Sequence, residues 1–190
     1  LEGFGYRVTP VSHSSNDGQY GHVDTERMYE NVTQKFLFNG WNDERVYLDE
    51  NHQRMGINIR NNLTRLATAL IEEGDKERAL EILDFTMEKL PPSRIPHNYF
   101  SLFIAEGYYE IEEFDKGDEV IMGLAELNRQ ELDFFTHNPK LRNYGLQEIQ
   151  RNMAIYQEIF KTLTHFSRKD VADEIDQKYD VIFHRLGFYE

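Results

Sequence analysis

Between Met55 and Pro92 the apolar residues fall into two helical stripes separated by a single glycine, and no other feature restricts the fold of the chain as strongly. Met55, Ile59, Leu63, Leu66, Ala67, Leu70 and Ile71 recur at steps of three and four, the spacing that places side chains on one face of an α-helix. Gly74-Asp75 interrupts this stripe, Ala79, Leu80, Ile82, Leu83 and Met87 resume it, and Leu90-Pro91-Pro92 ends it, because proline has no N–H for another turn. Asp49 or Asn51 offers a cap ahead of the first stripe. Two amphipathic stripes joined by so short a connection bury their apolar faces by folding back on each other as an antiparallel hairpin.

The rest of the chain follows the same logic. Asp24 stands as a cap before Met28, Tyr29, Val32, Phe36 and Leu37, which predicts a helix of about three turns that stops near Asn39-Gly40. Ile95-Pro96 breaks the chain ahead of helices over Tyr99–Glu110 and Phe114–Phe135. Thr136-His137-Asn138-Pro139 is a further interruption, and Leu146–Phe166 and Lys169–Leu186 read as a closing pair, with Asp170 near the second start. At the other end Pro10 disfavours helix at Thr9, and the polar run Ser12 to Gly18 follows, so residues 1–23 read as a strand-like arm and a loop. The expected fold is all-α, with about six to seven helices in one domain over residues 1–190. Within it, 1–23 is the arm, 24–54 the first helix and its connection, 55–92 and 97–135 two hairpins, and 145–187 a C-terminal helix pair.

The first hairpin resembles a tetratricopeptide repeat, a unit of about 34 residues in which a small side chain lets the second helix lie close against the first. Leu63, Leu66, Ala67 and Leu70 take the first-helix positions, Gly74 the turn, Ala79 and Leu83 the second helix, and Pro91 the end. A looser copy places Ile104, Ala105 and Tyr108 in one helix, Phe114 in the turn, and Gly117, Ile121 and Leu124 in the next. Tyr156, Phe160, Ala172 and Ile175 fit more weakly still and would serve as a cap on the exposed core. An ordinary helical bundle remains the alternative, since every amphipathic helix repeats at three and four.

Composition narrows the function classes. In 190 residues the net charge is −13, a field that repels phosphate backbones and argues against nucleic-acid binding. The absence of cysteine removes disulfides, thiolate metal sites and thiol nucleophiles together. No stretch approaches the roughly 20 apolar residues of a membrane span, so this chain is not expected to insert in a membrane itself. It opens on Leu1 rather than Met and reads as a piece of a longer protein.

Few residues combine as chemistry requires. His22-Val23-Asp24 and Asp49-Glu50-Asn51-His52 set imidazole beside carboxylate, as acid/base and metal sites do, but neither has a recognised metal spacing, and both aspartates fall at expected helix caps. His13, His97, His137, His165 and His184 are scattered over loops and helix ends. No nucleophile elbow, phosphate loop or dinucleotide fingerprint is present, so no catalytic residue, metal site or cofactor is expected. From Glu106 to Glu119 seven acidic residues face Lys116 alone, which reads as a solvated face or as a patch for a basic partner.

Aromatic residues offer more, with 11 Tyr and 13 Phe, of which Tyr99, Phe103, Tyr109, Phe134, Phe135 and Tyr144 gather around the second hairpin. First helices of such arrays line a groove, and by register Asn61, Thr64, Arg65 and Thr68 face it from one hairpin and Tyr99, Leu102, Phe103, Glu106 and Tyr109 from the next. Thr64 and Thr68 replace the basic and amide residues that clamp a peptide carboxylate in some such domains, so an extended peptide or a glycan is the expected ligand rather than a chain terminus.

A longer likeness runs through Tyr6-Arg7-Val8-Thr9-Pro10, Gly21-His22-Val23-Asp24-Thr25-Glu26-Arg27-Met28-Tyr29, Val46-Tyr47-Leu48-Asp49-Glu50-Asn51 and Asn61-Asn62-Leu63-Thr64-Arg65-Leu66-Ala67. These strings resemble the C-terminal region of a family of bacterial multi-spanning membrane proteins of unknown function, whose membrane part is similar to protein O-mannosyltransferases. The resemblance implies an extracytoplasmic, periplasmic location, tethering to a glycosyltransferase-like membrane domain, and tetratricopeptide-like repeats. It carries over no catalytic residue. Three readings follow: a non-catalytic scaffold that binds a polypeptide or glycan, a structural spacer that packs on its own membrane domain, and an enzyme built on His22, Asp24, Asp49, Glu50 and His52.

Overall fold

A computed structural model describes residues 1–8, 10, 19–141 and 144–186. Among them the chain is all-α, with seven α-helices, short π and 3-10 turns, and no strand. Contacts gather it into two compact units, residues 1–96 with 110–112 and residues 97–109 with 113–190, so that the break expected at Ile95-Pro96 is also the border between units.

In the first unit, α1 (Thr25–Glu30) is capped by Asp24, whose carboxylate accepts from the Arg27 N–H at 3.2 Å. It ends earlier than its apolar spacing predicts. The helix widens into a π turn at Asn31–Lys35, closed by Phe36 N–H donating to the Asn31 carbonyl at 2.9 Å, and the backbone is already extended at Phe36. Phe36 leans on Phe4 and Leu37 faces solvent, so neither continues the helix face. The described residues of the arm form no strand, while His13 and the run Ser12 to Gly18 lie outside the described residues.

The hairpin follows the expected plan. Asp49 caps α2 (Glu50–Glu72), and Asp75 caps α3 (Lys76–Lys89) by accepting from the Arg78 N–H at 3.0 Å. Gly74, at φ +84°, lets its own N–H reach the Ile71 carbonyl and the Asp75 N–H reach that of Leu70, which satisfies two carbonyls the helix end would leave bare. Leu63, Leu66, Ala67 and Leu70 interlock with Ala79, Ile82 and Leu83, all fully buried, at about 1.5–3 kcal/mol for each large side chain removed from water.

Beyond α3 the chain crosses Pro91 and Pro92, and Arg60 answers their missing donors. Arg60 is 1% exposed, and its guanidinium donates to the carbonyls of Leu90 at 2.5 Å, Ile95 at 2.6 Å and Pro96 at 3.2 Å, with no carboxylate paired to it among the described residues. Burial without a counter-charge pushes its pKa down to about 10.

The second unit contains α4 (Ser101–Glu110), α5 (Phe114–His137), α6 (Leu146–His165) and α7 (Lys169–Leu186). The helix predicted from Tyr99 begins two residues later, because Tyr99 belongs to the turn in which Asn98 Oδ1 accepts from the Phe100 N–H. Helices α5, α6 and α7 pack mutually around Ile121, Leu124, Leu132, Ile159, Leu163, Ile175 and Ile182. Gly117 fills the role of the small second-helix residue: a Cβ there would lie 2.3 Å from the ring of Tyr109. Among the described residues no helix is long and apolar enough to cross a membrane.

Candidate ligand pocket

The acidic-histidine pairs serve as helix caps. Asp24 holds the first turn of α1, and Asp49 accepts from both the backbone N–H (2.9 Å) and the Nδ1 (2.7 Å) of His52, bonds that hold its carboxyl below the usual range. Among the described residues no group of three or more His, Asp or Glu stands where it could share a metal ion.

The four groove candidates of α2 do not form an open face. Arg65 is buried, and its guanidinium donates to the Tyr6 hydroxyl at 2.7 Å and the Gly21 carbonyl at 2.8 Å. Asn61 exchanges hydrogen bonds with Gln19, and the buried Thr64 hydroxyl turns back to the Arg60 carbonyl at 2.9 Å. Thr68 is half-buried. The N-terminal segment therefore covers the face that register assigned to a ligand. Helical periodicity shows which side of α2 turns away from α3 but not which distant segment lies over it.

In the second unit the candidates separate. Tyr109 is buried, with its hydroxyl donating to Asp118 at 2.9 Å and its ring against Phe166, so it is a packing residue rather than a groove residue. Glu106 is half-buried and accepts from the Thr162 hydroxyl at 3.0 Å. Asp118 also takes the guanidinium of Arg168, so part of the acidic run is engaged within its own unit. Tyr99 and Phe103 remain accessible, 43% and 37% exposed, in an edge-on pair at 5.8 Å, with Phe100 beside both.

Tyr99 also stands at the rim of a cleft of about 440 Å³ in the second unit. Leu124 and Leu127 of α5 with Ala154 and Ile155 of α6 form its apolar walls, and Glu131 and Arg151, 3.6 Å apart, form an exposed ion pair at its edge. His97 is held by Ser101, its Nδ1 3.1 Å from the hydroxyl, with its ring over Gly123, where a Cβ would come within 2.6 Å.

Two buried amides complete the wall. Asn128 Nδ2 donates to the backbone carbonyl and to Oδ1 of Asn152, both at 3.0 Å, while the Tyr179 hydroxyl approaches Asn128 Oδ1 at 2.8 Å and the Ala125 carbonyl at 2.7 Å. This order of atoms is forced. A backbone carbonyl only accepts, so Asn128 must present its amino group to Asn152, and Asn152 must in turn present Oδ1. Asn152, 1% exposed, is left with an Nδ2 that has no hydrogen-bond partner. Burial pushes the Tyr179 phenol well above its ordinary pKa and keeps it a donor.

Asn128 and Asn152 escaped the functional reading of the sequence, although a signal was there. Asn128 interrupts an apolar row at Leu124 and Leu132, and Asn152 follows Ile149 by three and precedes Ile159 by seven, so each puts an amide where the helical stripe calls for an apolar side chain. Comparison of the chain with known protein families, curated proteins and solved structures finds no match.

Proposed function

We propose that this chain is a non-catalytic binding module that engages a polypeptide through the Tyr99–Phe103 surface and the adjoining cleft. The observation that carries this reading is the cleft itself, which has apolar walls and is lined by the accessible Tyr99, whose ring pairs edge-on with the accessible Phe103. Concave apolar sites with a few placed polar groups are where ligands bind, and exposed aromatic side chains supply contact area at low cost in conformational entropy. In keeping with the resemblance of its sequence, the module would act on the extracytoplasmic side of a bacterial membrane as an appendage of a glycosyltransferase-like membrane domain, bringing a polypeptide to it. A structural spacer that packs on its own membrane domain is the second reading, and the covered α2 face favours it in the first unit.

The test is a photo-reactive p-benzoylphenylalanine placed at Phe103, with the same group at the exposed Tyr47 of the first unit as control, each exposed to envelope extract. Polypeptide adducts specific to position 103 are expected. Identical adducts at both positions, or none at 103, would end the binding-module reading.

A further inference from the structure

We infer that Asn39 is a site of spontaneous deamidation, at which the main-chain nitrogen of Gly40 closes on the Asn39 side chain and converts it to aspartate and isoaspartate. The inference concerns the first unit and holds whatever the second unit binds.

The chemistry sets the conditions. The nitrogen of the residue after an asparagine attacks Cγ, and the new C–N bond closes a five-membered imide ring. The proton of that nitrogen leaves with the side-chain amino group as ammonia. Water then opens the ring: breaking the bond from nitrogen to Cγ gives aspartate, and breaking the bond from nitrogen to the main-chain carbonyl carbon gives isoaspartate, whose backbone runs through Cγ. Only water is consumed. The reaction needs a following N–H that no acceptor holds, a following residue without a Cβ to crowd the ring, and access to solvent.

Asn39 meets all three. It is exposed, and Gly40 follows it at φ +87°. Among the described residues no acceptor takes the Gly40 N–H and nothing is bonded to the Asn39 amide. The other described asparagines each fail a condition. Those of α2, α5, α6 and the π turn have the next N–H in a helical ladder or, at His52, on Asp49. After Asn42 the Asp43 N–H donates to the Gly40 carbonyl at 3.4 Å, and Asn138 precedes Pro139, which has no N–H. Asn98 is followed by the bulky Tyr99, and its Oδ1 already accepts from the Phe100 N–H at 2.9 Å.

The surroundings of Asn39 give the conversion a consequence. On one side Phe38 is buried edge-on against Phe85 of α3, the ring centroids 4.9 Å apart. On the other the Trp41 ring lies beside Gly56 of α2, where a Cβ would come within 3.1 Å of it. Asn39 and Gly40 therefore bridge two seated rings. Isoaspartate adds a methylene to that bridge, so a ring must shift, while either product adds one negative charge to the present −13.

The test ages the full chain in buffer at physiological temperature, at neutral and at mildly alkaline pH. Peptide mass spectrometry with electron-transfer fragmentation reads aspartate and isoaspartate at each asparagine separately, and Trp41 fluorescence is followed beside it. Conversion at Asn39 is expected to run ahead of that at every other described asparagine and to quicken with pH, because the attacking nitrogen must shed its proton. Trp41 emission should change in step with isoaspartate at position 39. Asn39→Gln, whose ring would need six members, should lose conversion at that position and keep the emission of fresh protein on ageing. Gly40→Ala should slow the conversion by crowding the nitrogen; should it fail to fold, Asn39→Gln carries the test, since the exposed amide it replaces has no partner.

Conversion at Asn39 no faster than at Asn98 or Asn61, or independent of pH, overturns the site. Isoaspartate at position 39 with unchanged Trp41 emission, or an equal change in aged Asn39→Gln, overturns the bridge between seated rings.

Discussion

Replacing Arg60 with methionine tests how the first unit holds the chain beyond its hairpin. The substitution keeps length and apolar volume but removes donors from the carbonyls of Leu90, Ile95 and Pro96, in a loop where Pro91, Pro92 and Pro96 have no N–H to offer. Three hydrogen bonds from a charged donor, at about 1.5–3 kcal/mol each, are lost. Against that, the variant no longer holds a guanidinium out of water. The fall in its pKa from the ordinary arginine value to about 10 puts that relief at about 3 kcal/mol, at about 1.36 kcal/mol per pKa unit. The difference is a net loss of roughly 1.5–6 kcal/mol, a large share of ordinary domain stability. At about 2–4 °C per kcal/mol for a chain of this size, the melting temperature should fall by roughly 3–24 °C. Trp41, the single tryptophan, lies in the first unit with its ring near Gly56, so its fluorescence during urea or thermal unfolding reports on that unit. Because the pKa of Arg60 is about 10 when folded and higher when unfolded, its charge is constant below pH 9 and the loss should not vary there; the burial penalty is relieved only as pH rises beyond about 10. Equal or greater stability of Arg60→Met would refute the carbonyl clamp and class Arg60 with buried charges that an apolar side chain replaces without harm.

Gly117→Ala should destabilise the second unit by about 1–3 kcal/mol, seen as a lower melting temperature by circular dichroism, since the new methyl meets the Tyr109 ring at 2.3 Å and the clash exceeds the gain of about 1 kcal/mol in helix propensity. Tyr109 and Tyr179 both have their phenol pKa raised, chiefly by burial. An acid that the folded state keeps protonated contributes stability that is complete below its ordinary pKa of about 10 and is lost as pH rises above it. Phenolate absorbance should therefore show these two groups ionising only with unfolding; their ionisation while helicity persists would contradict the burial.

Much of the fold was legible because it is local. The caps at Asp24 and Asp49, the glycine turn at Gly74, and the helix α7 at Lys169–Leu186 follow from side chains within a few residues of the feature they create. Other turns gave less warning. Glu112 and Ser167 take positive φ at the ends of α4 and α6, and the Glu113 and Arg168 N–H groups reach back to Tyr108 and Leu163 as Asp75 does to Leu70. Neither residue carries the glycine signature, so only the stop of the apolar stripe marked those turns. The π turn after α1 was invisible for a similar reason: apolar spacing continues through Phe36 and Leu37 although the backbone does not.

The groove shows the limit of this reasoning. Register assigns Arg65 and Asn61 of α2 to an open groove, yet that face is closed by Tyr6, Gln19 and Gly21, more than 40 residues distant along the chain. Tyr109 passed for a groove residue for want of knowing that Gly117 leaves room for its ring. By itself, the sequence determined helix, turn and cap, because periodicity, glycine, proline and capping aspartate act over one or two turns of chain. Tertiary structure alone decided which polar groups are spent and which are spare. The terminal nitrogens of Arg60 are taken by backbone carbonyls and those of Arg65 by the Tyr6 hydroxyl and the Gly21 carbonyl, while Arg60 Nε and Asn152 Nδ2 keep unused donors, and such an inventory depends on acceptors that arrive from distant segments.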